Sequence, residues 1–396
     1  MWQKTKNIYH LFVAIGALVW FGFPGRKLKI IGITGTDGKT TTVNLVFHIL
    51  KSAGKTVSMI STVGANIHGS AFPLGFHVTN PASIPLQRFL RNAAKSVLKD
   101  NYLVLEVTSH GLDQNRVWGI PFAIAGITNV SHEHLDYHKT YENYVKTKAR
   151  LLKKTHVAVV NYDDRSYPLI MKELSKTPSK KIITYGMSNA EFTLKKYPFA
   201  KSLPGDHNVY NCLLAIAICK ELGIPNADIE NGIKSFVLPK GRTEIVYEKE
   251  FTVMIDFAHT PNSFEKLLSW LRPQTKGKLI HVFGSAARRD ITKRPEMGKF
   301  AADFDDVVIL TSEDPRDEDP QKIMDDIEKG MSKKRKVTVL RIPDRKQAIE
   351  KAISIAKKGD VVVLTGKAHE SSMNYGHGEE PWDEFEAVKI ALAKRA

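Results

Sequence analysis

The chain has 396 residues, which is long enough for two or three domains, and a hydrophobic content of 42% that is ordinary for a soluble globular protein. Its 58 Lys and Arg residues outnumber 42 Asp and Glu, giving a formal charge of +16. No RNA- or DNA-binding motif with interleaved aromatic residues accompanies this excess, so we predict no nucleic-acid partner. A solvated basic surface and a site for several anionic substrates explain the charge with fewer assumptions.

An apolar segment covers residues 8–23, and Lys4, Lys6, Arg26 and Lys27 flank it. It is shorter than the roughly 20 residues that a membrane-spanning helix needs. No small-residue cleavage site follows it, which argues against a signal peptide. Three alternatives remain: a helix packed on the protein, a helix lying in a membrane interface, and, less favoured by its length, a membrane-spanning helix.

Residues 28–45 hold the most informative pattern. An apolar run predicts a buried strand ending at Thr34, and glycines then let the backbone turn its N–H groups toward a phosphate. A helix opening near Lys39 adds the positive end of its dipole. Lys39 can reach the β- and γ-phosphates, and the Thr40 hydroxyl can take a Mg²⁺ position. The pattern predicts an ATP loop formed by Gly35, Thr36, Asp37, Gly38, Lys39, Thr40 and Thr41. The strict pattern has glycine where this chain has Ile33, and the alternative is a strand-to-helix turn without a ligand.

Apolar runs alternate with helical stretches along nearly the whole chain, which predicts an α/β fold with parallel sheets. In the first half we predict helices near 84–98, 140–153 and 208–222, and strands at 28–34, 56–61, 102–107, 122–128 and 156–160. A break near residues 238–241 closes this half. The second half predicts a Rossmann-like sheet, with strands at 253–257, 279–284, 307–311, 337–341 and 361–365. Ligands of such sheets bind at the carboxyl ends of the strands.

Three single residues stand out in the first half. Glu106 ends a hydrophobic strand, which is a natural position for a metal-binding carboxylate, the alternative being a strand-end glutamate in solvent. Cys212 and Cys219 lie seven residues apart in a predicted helix, about 10 Å along its axis and too far to bridge. We interpret both as small core residues in a reducing compartment.

More motifs follow the phosphate loop in a fixed order. They are EVTSH at 106–110, TNVSHEHLDYH at 128–138, TKARL at 147–151, HNVYN at 207–211, GRTE at 241–244, DFAHTP at 256–261, RDITKRPEMG at 289–298, EDPR at 313–316 and GKAHE at 366–370. With the loop, they resemble the Mur ligases, which join amino acids to peptidoglycan precursors. The similarity is greatest to the MurE-type branch, the UDP-N-acetylmuramoyl-tripeptide synthetases, and covers about residues 28–390. It implies a P-loop central domain at 28–240 and a Rossmann-like ligase domain at 241–396, after the apolar segment at 1–27.

The resemblance implies two Mg²⁺ sites. It assigns one Mg²⁺ to Glu106 beside Thr40 and a second to His134, and leaves His132 and His138 without a role. Lys148 resembles the family's carbamylated lysine, whose CO₂ adduct is a metal-binding carboxylate, whereas composition alone favours a surface lysine. A zinc site from the His-x-His pattern lacks further ligands in the sequence.

The resemblance also assigns the substrates. It places Asn208 and Asn211 at the adenine, Arg242 at the γ-phosphate, and Asp256 and His259 at ATP contacts of the C-terminal domain. Helix capping is the alternative for the two asparagines. The acceptor dipeptide is assigned to a turn and a strand end, Thr79, Asn80, Thr108 and Ser109. The incoming amino acid is assigned to Glu313, Asp314, Arg316, Gly366 and Glu370.

The tetrapeptide at 313–316 bears on which amino acid is added. Family members that add meso-diaminopimelate have Asp-Asn-Pro-Arg, in which the arginine holds the distal carboxylate as a bidentate pair. This chain has Glu313, Asp314 and Arg316. Arg316 favours diaminopimelate, while Asp314 adds a charge that could attract a lysine ammonium.

Typical Mur ligases carry an N-terminal domain that grips the UDP end of the acceptor, and we expect it to be missing ahead of residue 28. The sequence thus predicts a cytoplasmic, monomeric ATP-dependent ligase that adds a diamino acid to UDP-MurNAc-L-Ala-D-Glu, with a membrane contact through residues 8–23 if that helix is interfacial. The alternatives are a folylpolyglutamate synthase-like ligase and a partner-dependent Mur-like amidotransferase subunit.

Overall fold

The computed structural model describes residues 2–74, 80–95, 101–177, 180–331 and 337–395. They form two compact units. The first comprises Met1–Ser131 with His138–Pro239, and the second His132–Tyr137 with Lys240–Ala396.

A nine-stranded sheet forms the centre of the first unit. Its strands are β1 (Lys29–Thr34), β2 (Thr56–Ser61), β3 (Gly64–Ile67), β4 (Ser70–Phe72), β5 (Asn101–Glu106), β6 (Phe122–Ile127), β7 (Val157–Asn161), β8 (Lys181–Gly186) and β9 (Phe192–Thr193). They are ordered β4-β3-β2-β5-β1-β6-β7-β8-β9. All neighbours run parallel except the β2-β3-β4 meander at one edge. Strands β5, β1 and β6 are central, so their carboxyl ends meet at one place.

Helices cover this sheet. They are α1 (Trp2–Phe21), α2 (Lys39–Ser52), α3 (Ser83–Ala93), α4 (Ser109–Asp113), α6 (Tyr141–Lys153), α7 (Tyr167–Leu174), α8 (Asp206–Glu221) and α9 (Asn226–Lys234). The single turn α5 (Leu135–His138) is not one of them, because its residues divide between the two units. Short 3₁₀ turns lie at Pro24–Lys27 and Pro198–Ser202. Helix α8 is apolar on nearly all sides and buried, as such a pattern requires. Its Cys212 and Cys219 are buried free thiols, as predicted, and burial raises the pKa of Cys212 to about 12.

The second unit has a six-stranded sheet ordered β10-β11-β15-β12-β13-β14 and a two-stranded ribbon of β16 and β17. The strands are β10 (Glu244–Glu248), β11 (Thr252–Asp256), β12 (Leu279–Phe283), β13 (Val307–Leu310), β14 (Thr338–Arg341), β15 (Val361–Thr365), β16 (Ser372–Asn374) and β17 (Glu379–Pro381). The helices are α10 (Pro261–Leu271), α11 (Lys293–Phe304), α12 (Pro320–Glu328), α13 (Arg345–Ile355) and α14 (Glu384–Arg395), with a 3₁₀ turn at Arg272–Gln274. Only β10 is antiparallel to its neighbour in the larger sheet.

The predicted α/β class is confirmed, and each predicted strand is present with both ends within one residue of the prediction. The β3-β4 meander and the edge strand β10 were not predicted, because short half-exposed strands lack a continuous apolar run.

The apolar segment at 8–23 is helical and packed on the first unit. Ala14, Ala17 and Leu18 are buried, and α1 packs against α3. The Asn7 amide donates to an Asp113 carboxylate oxygen at 2.8 Å, which fixes the helix near its amino end. No helix among the described residues is long and apolar enough to cross a membrane.

Candidate functional site

The loop between β1 and α2 has the backbone shape predicted for a phosphate loop. Gly35 has φ 144° and Gly38 has φ 80°, conformations that L side chains rarely adopt. A Cβ atom on Gly35 would lie 1.8 Å from the Thr128 hydroxyl, and one on Gly38 would lie 2.3 Å from the Asn211 amide oxygen. Both positions therefore require glycine on grounds of space as well as backbone angle.

The segment after β6 holds this loop in shape. The Thr36 N–H donates to the Asn129 carbonyl oxygen at 2.8 Å, and the Asp37 N–H donates to the Asn129 side-chain oxygen at 3.1 Å. The Thr128 hydroxyl donates to the Asp37 carbonyl at 2.6 Å, and the Ser131 N–H donates to the Thr36 hydroxyl at 3.0 Å. Protein hydrogen bonds thus hold the loop in this conformation.

Two lysines donate to carbonyl oxygens of the loop. Lys39 opens α2, and its ammonium lies 2.7 Å from the Thr36 carbonyl oxygen. Lys148 of α6 is 1% exposed, and its ammonium lies 2.5 Å from the Gly35 carbonyl oxygen and over the Tyr144 ring. The interpretation of Lys148 as a surface lysine is therefore wrong.

Thr40 and Glu106, predicted to hold a metal ion together, are in contact. The Thr40 hydroxyl donates to one Glu106 carboxylate oxygen at 3.0 Å. Thr62, after β2, donates to the same carboxylate from its N–H and from its hydroxyl, both at 3.0 Å. Glu106 is 1% exposed, so the alternative of a solvent-exposed strand end is wrong. Hydroxyl and carboxylate oxygens are the ligands that Mg²⁺ prefers, and this pair fits such an ion.

Asn80 and Thr108 support the strand end that carries Glu106. The Asn80 amide donates to the Glu106 carbonyl oxygen and accepts from the Thr108 N–H at 2.6 Å and hydroxyl at 2.8 Å. Thr108 also caps α4, whose first residue, Ser109, is 2% exposed. The predicted turn residue Thr79 lies outside the described residues.

The two asparagines of α8 contact each other. The Asn211 amide donates to the Asn208 side-chain oxygen at 3.0 Å, and the Thr42 hydroxyl donates to Asn211 at 3.3 Å. Asn208 donates back to the Pro204 carbonyl oxygen at 2.6 Å. The N-cap position of α8 is Gly205, so neither asparagine is the cap residue and the capping alternative is wrong. Asn211 instead lies against Gly38 of the loop.

The histidine-rich segment 132–138 divides between the two units. Buried His138 belongs to the first, near the rings of His110 and Tyr144, and burial lowers its pKa to about 4. His134 belongs to the second, with φ 58° and a ring nitrogen 3.8 Å from Glu133. Within the described ranges, no group of three or more His, Cys, Asp and Glu side chains is placed to hold a metal ion.

In the second unit, Arg242, His259 and His369 surround one aromatic ring. The Arg242 guanidinium lies 4.6 Å from the centre of the Phe257 ring, and both histidine rings have centroids 4.7 Å from it. Burial and the nearby Arg242 lower the pKa of His369 to about 3. Asp256 accepts from the N–H groups of Thr243 and Ala258, each at 2.7 Å. The predicted residues Arg242, Asp256 and His259 thus cluster at the end of β11.

Four of the residues predicted to hold the incoming amino acid also cluster. Lys367 is buried, and its ammonium lies 3.0 Å from Asp314 and 2.7 Å from Glu370. The Glu313 carboxylate lies over Gly366, where a Cβ would come within 2.1 Å of it. Burial raises the pKa of Glu313 to about 7, and the neighbouring Asp314 contributes in the same direction. The charge that Asp314 adds is therefore already paired by a lysine of the protein.

Arg316 is half-buried at the edge of this cluster. It has φ 50°, and its guanidinium donates to the Ala287 carbonyl oxygen at 3.3 Å. Asp314 also has positive φ, 46°. Two non-glycine residues in the left-handed region within three positions indicate a strained, tightly held turn, as functional sites often contain.

Sequence reasoning missed several participants in these clusters: Thr62, Thr128, Asn129, Phe257, Lys367 and His369. All but Thr62 lie in or beside the quoted motifs, so the motifs contained a signal for them. Thr62 follows β2 in an ordinary turn and had none.

Comparison with known protein families matches the description "Mur ligase middle domain" to residues 33–219 and "Mur ligase, glutamate ligase domain" to residues 241–368. A UDP-N-acetylmuramoyl-L-alanyl-D-glutamate--2,6-diaminopimelate ligase of Aquifex aeolicus is 40% identical, over 94% of this chain and 79% of that protein. A protein of the same name from Clostridium acetobutylicum is 37% identical, over 95% and 80%.

Two solved structures are similar to this chain in fold. A structure of a UDP-N-acetylmuramoyl-L-alanyl-D-glutamate--2,6-diaminopimelate ligase matches with a TM-score of 0.59 and 31% identity, covering 93% of this chain and 79% of that one. A Mycobacterium tuberculosis folylpolyglutamate synthase matches with a TM-score of 0.70 but only 18% identity, covering 91% and 96%. The second likeness is one of fold alone.

Proposed function

This chain belongs to the Mur ligase family, and we propose that it adds meso-diaminopimelate, in preference to L-lysine, to UDP-MurNAc-L-Ala-D-Glu in peptidoglycan precursor synthesis, with ATP hydrolysis. The observation that carries the proposal is the 40% identity with a diaminopimelate ligase over 94% of the chain. The acceptor carboxylate is activated as an acyl phosphate, the amine attacks it, and phosphate leaves. Such a site must gather anionic oxygens and exclude water.

The phosphate loop binds the triphosphate of ATP in this proposal. Its N–H groups, Lys39 and the start of α2 supply the positive potential, and Thr41 continues the buried first turn of that helix. Asn208 and Asn211 face the adenine. Arg242, Asp256 and His259 are also assigned to ATP.

Thr40 and Glu106 are the pair proposed to hold Mg²⁺, which supplies charge neutralisation at the phosphates when bound. The buried oxygen pair supports this assignment. A second Mg²⁺ is proposed at His134, and Lys148 is proposed to be carbamylated and to bind metal. The burial of Lys148 beside the loop, 2.5 Å from the Gly35 carbonyl oxygen, supports a role at the phosphate site.

For the incoming amino acid, we assign Arg316 to the distal carboxylate of diaminopimelate and Glu370 to its amino group, and we include Glu313, Asp314 and Gly366 among the residues that bind it. The Asp314–Lys367 pair supports diaminopimelate over L-lysine. An aspartate already neutralised by the protein offers a lysine ammonium less attraction than a free one would. For the acceptor dipeptide, we assign Thr79, Asn80, Thr108 and Ser109.

We propose that the enzyme is a cytoplasmic monomer with an ATP-binding domain at 28–240 and a ligase domain at 241–396, and that residues 8–23 touch a membrane surface. Exposed apolar side chains on α1 support the membrane contact.

The experiment that tests the reaction is ADP release by the full chain with a panel of acceptors and amino acids. We expect release that requires both UDP-MurNAc-L-Ala-D-Glu and diaminopimelate, with L-lysine a poorer substrate. Release with a folate and glutamate instead would support a folylpolyglutamate synthase. Release only in the presence of a glutaminase partner would support an amidotransferase subunit.

A further inference from the structure

Helix α1 has an outward face that the packing of the first unit leaves open. On the inward face Ala14, Ala17 and Leu18 are buried. Five large apolar side chains on the outward face are more than half exposed: Ile8 56%, Tyr9 67%, Phe12 68%, Val19 64% and Trp20 79%. At 100° per residue they fall within an arc of roughly 120°, over about 18 Å of helix.

These five residues, called here the outer face of α1, differ from ordinary exposed apolar residues. Single exposed apolar side chains are common, but contiguous rows of them mark interaction surfaces. Tyr and Trp are the residues that favour the boundary between water and lipid, because each combines an apolar ring with a polar group. Two of the five are of this kind.

The amino-terminal part of the chain, which carries the outer face, is strongly basic, and Asp113 is the acid that contacts α1, through Asn7 near its amino end. Residues 1–99 contain twelve Lys and Arg and a single acid, Asp37, so they carry +11 of the formal +16 of the chain. Lys6, Arg26 and Lys27 are exposed beside the outer face, and the Arg26 guanidinium lies 4.6 Å from the Phe23 ring centre. Helix α3, packed against α1, adds the exposed Arg88 and Arg91.

We propose that the outer face of α1 docks onto an anionic phospholipid bilayer, with α1 lying parallel to the surface and the flanking basic residues contacting lipid headgroups. This deepens the membrane contact proposed for residues 8–23 and does not depend on the ligase reaction. An apolar row and a basic surround are the two signals that together give stable peripheral binding. A second copy of the chain is disfavoured as occupant, because pairing two outer faces would bring two strongly positive segments together.

The test is sedimentation of the full chain with vesicles of phosphatidylcholine alone and of an equimolar mixture with phosphatidylglycerol. We expect binding to the mixed vesicles that weakens with added salt, and little binding to phosphatidylcholine alone. Arg26→Gln with Lys27→Gln should weaken binding roughly fivefold for each charge removed.

Phe12→Ser with Trp20→Ser should weaken binding at least roughly tenfold, because both side chains would enter the interface. The matched control is Val237→Ser, since Val237 is 83% exposed but lies in the stretch after α9, outside α1. It should bind as the unaltered chain does. Failure of the unaltered chain to bind mixed vesicles would overturn the proposal, as would equal binding by the double variant.

Light scattering of the free protein is the second measurement. A dimer of the unaltered chain that Phe12→Ser with Trp20→Ser abolishes would assign the outer face to a second copy and overturn the membrane proposal. ADP release with soluble substrates, measured in parallel, should be the same for all these variants. If neither the unaltered chain nor any variant releases ADP, the proposed ligase reaction is contradicted. The result of the vesicle-binding experiment would still stand by itself.

Discussion

Substitutions of Glu106 can separate an effect on the reaction from an effect on folding. Its carboxylate accepts three hydrogen bonds, from the Thr40 hydroxyl and from the N–H and hydroxyl of Thr62, each at 3.0 Å. Glu106→Gln keeps the shape and an oxygen for both the Thr62 N–H and the Thr40 hydroxyl, and the Thr62 hydroxyl can rotate to accept from the new amide. We therefore expect the free energy of unfolding to change by no more than about 1 kcal/mol.

Activity should respond very differently. The same substitution removes the negative charge proposed to hold Mg²⁺, and a loss of about 3 kcal/mol in transition-state stabilisation lowers kcat by roughly a hundredfold. Glu106→Ala should lose activity and also about 2–4 kcal/mol of stability, because it leaves a cavity and strips the partner from the buried Thr40 hydroxyl and the Thr62 N–H.

The assays are ADP release at saturating substrates and denaturant unfolding followed by circular dichroism. Thr62→Val, which deletes one donor and keeps the carboxylate, is the matched control and should retain most activity. A Glu106→Gln enzyme with near-normal kcat would refute the metal assignment. A Glu106→Gln chain as unstable as Glu106→Ala would refute the hydrogen-bond reasoning.

Three further predictions follow from the same contacts. Lys39→Ala should abolish ATP turnover without unfolding the chain. The half-buried Lys39 side chain donates to the Thr36 carbonyl oxygen of the loop and is not part of the core. Retained turnover in a folded variant would contradict the phosphate-loop assignment. Lys148→Ala should be nearly inactive and partly rescued by acetate if a carbamate is required; full activity without acetate would return Lys148 to a structural role. Burial raises the pKa of Glu313 from 4.5 to about 7. Between these pH values the folded state holds a proton that the unfolded state has released. The free energy of unfolding should therefore fall as pH rises from about 4.5 to 7 and level off above pH 7. Glu313→Gln should remove this decrease, which amounts to up to about 3 kcal/mol in the free energy of unfolding at pH 8. If the pH dependence of unfolding is the same in the variant, the raised pKa is contradicted.

The parallel strands and the phosphate loop were predictable because each depends on neighbours in sequence. An apolar run of five or six residues followed by glycines specifies a buried strand and a turn, whatever lies elsewhere in the chain. The contact between Thr40 and Glu106 was also predictable, because both follow central strands whose carboxyl ends meet.

The burial of Lys148 was not predicted from composition, since α6 also contains Lys146 and Lys153. Helical spacing offered a signal, because Lys148 is four residues from Tyr144 and three from Leu151, on the apolar face of α6. No such signal existed for the contact of Gly38 with Asn211 or of Asp314 with Lys367. Those contacts depend on tertiary packing between elements far apart in the sequence.

The packing of Asn211 against Gly38 has a consequence for how this sequence can diverge. A side chain at position 38 meets the Asn211 amide oxygen at 2.3 Å, so the two positions cannot drift independently. Gly38→Ala would be tolerated only where residue 211 had first become smaller, and even then the left-handed backbone would cost about 1 kcal/mol. Substitutions in the loop and in a helix more than 160 residues away are thus coupled. Gly38→Ala should lower the free energy of unfolding, and its combination with Asn211→Ala should restore part of that loss by removing the clash, although the double variant also lacks the adenine contact proposed for Asn211.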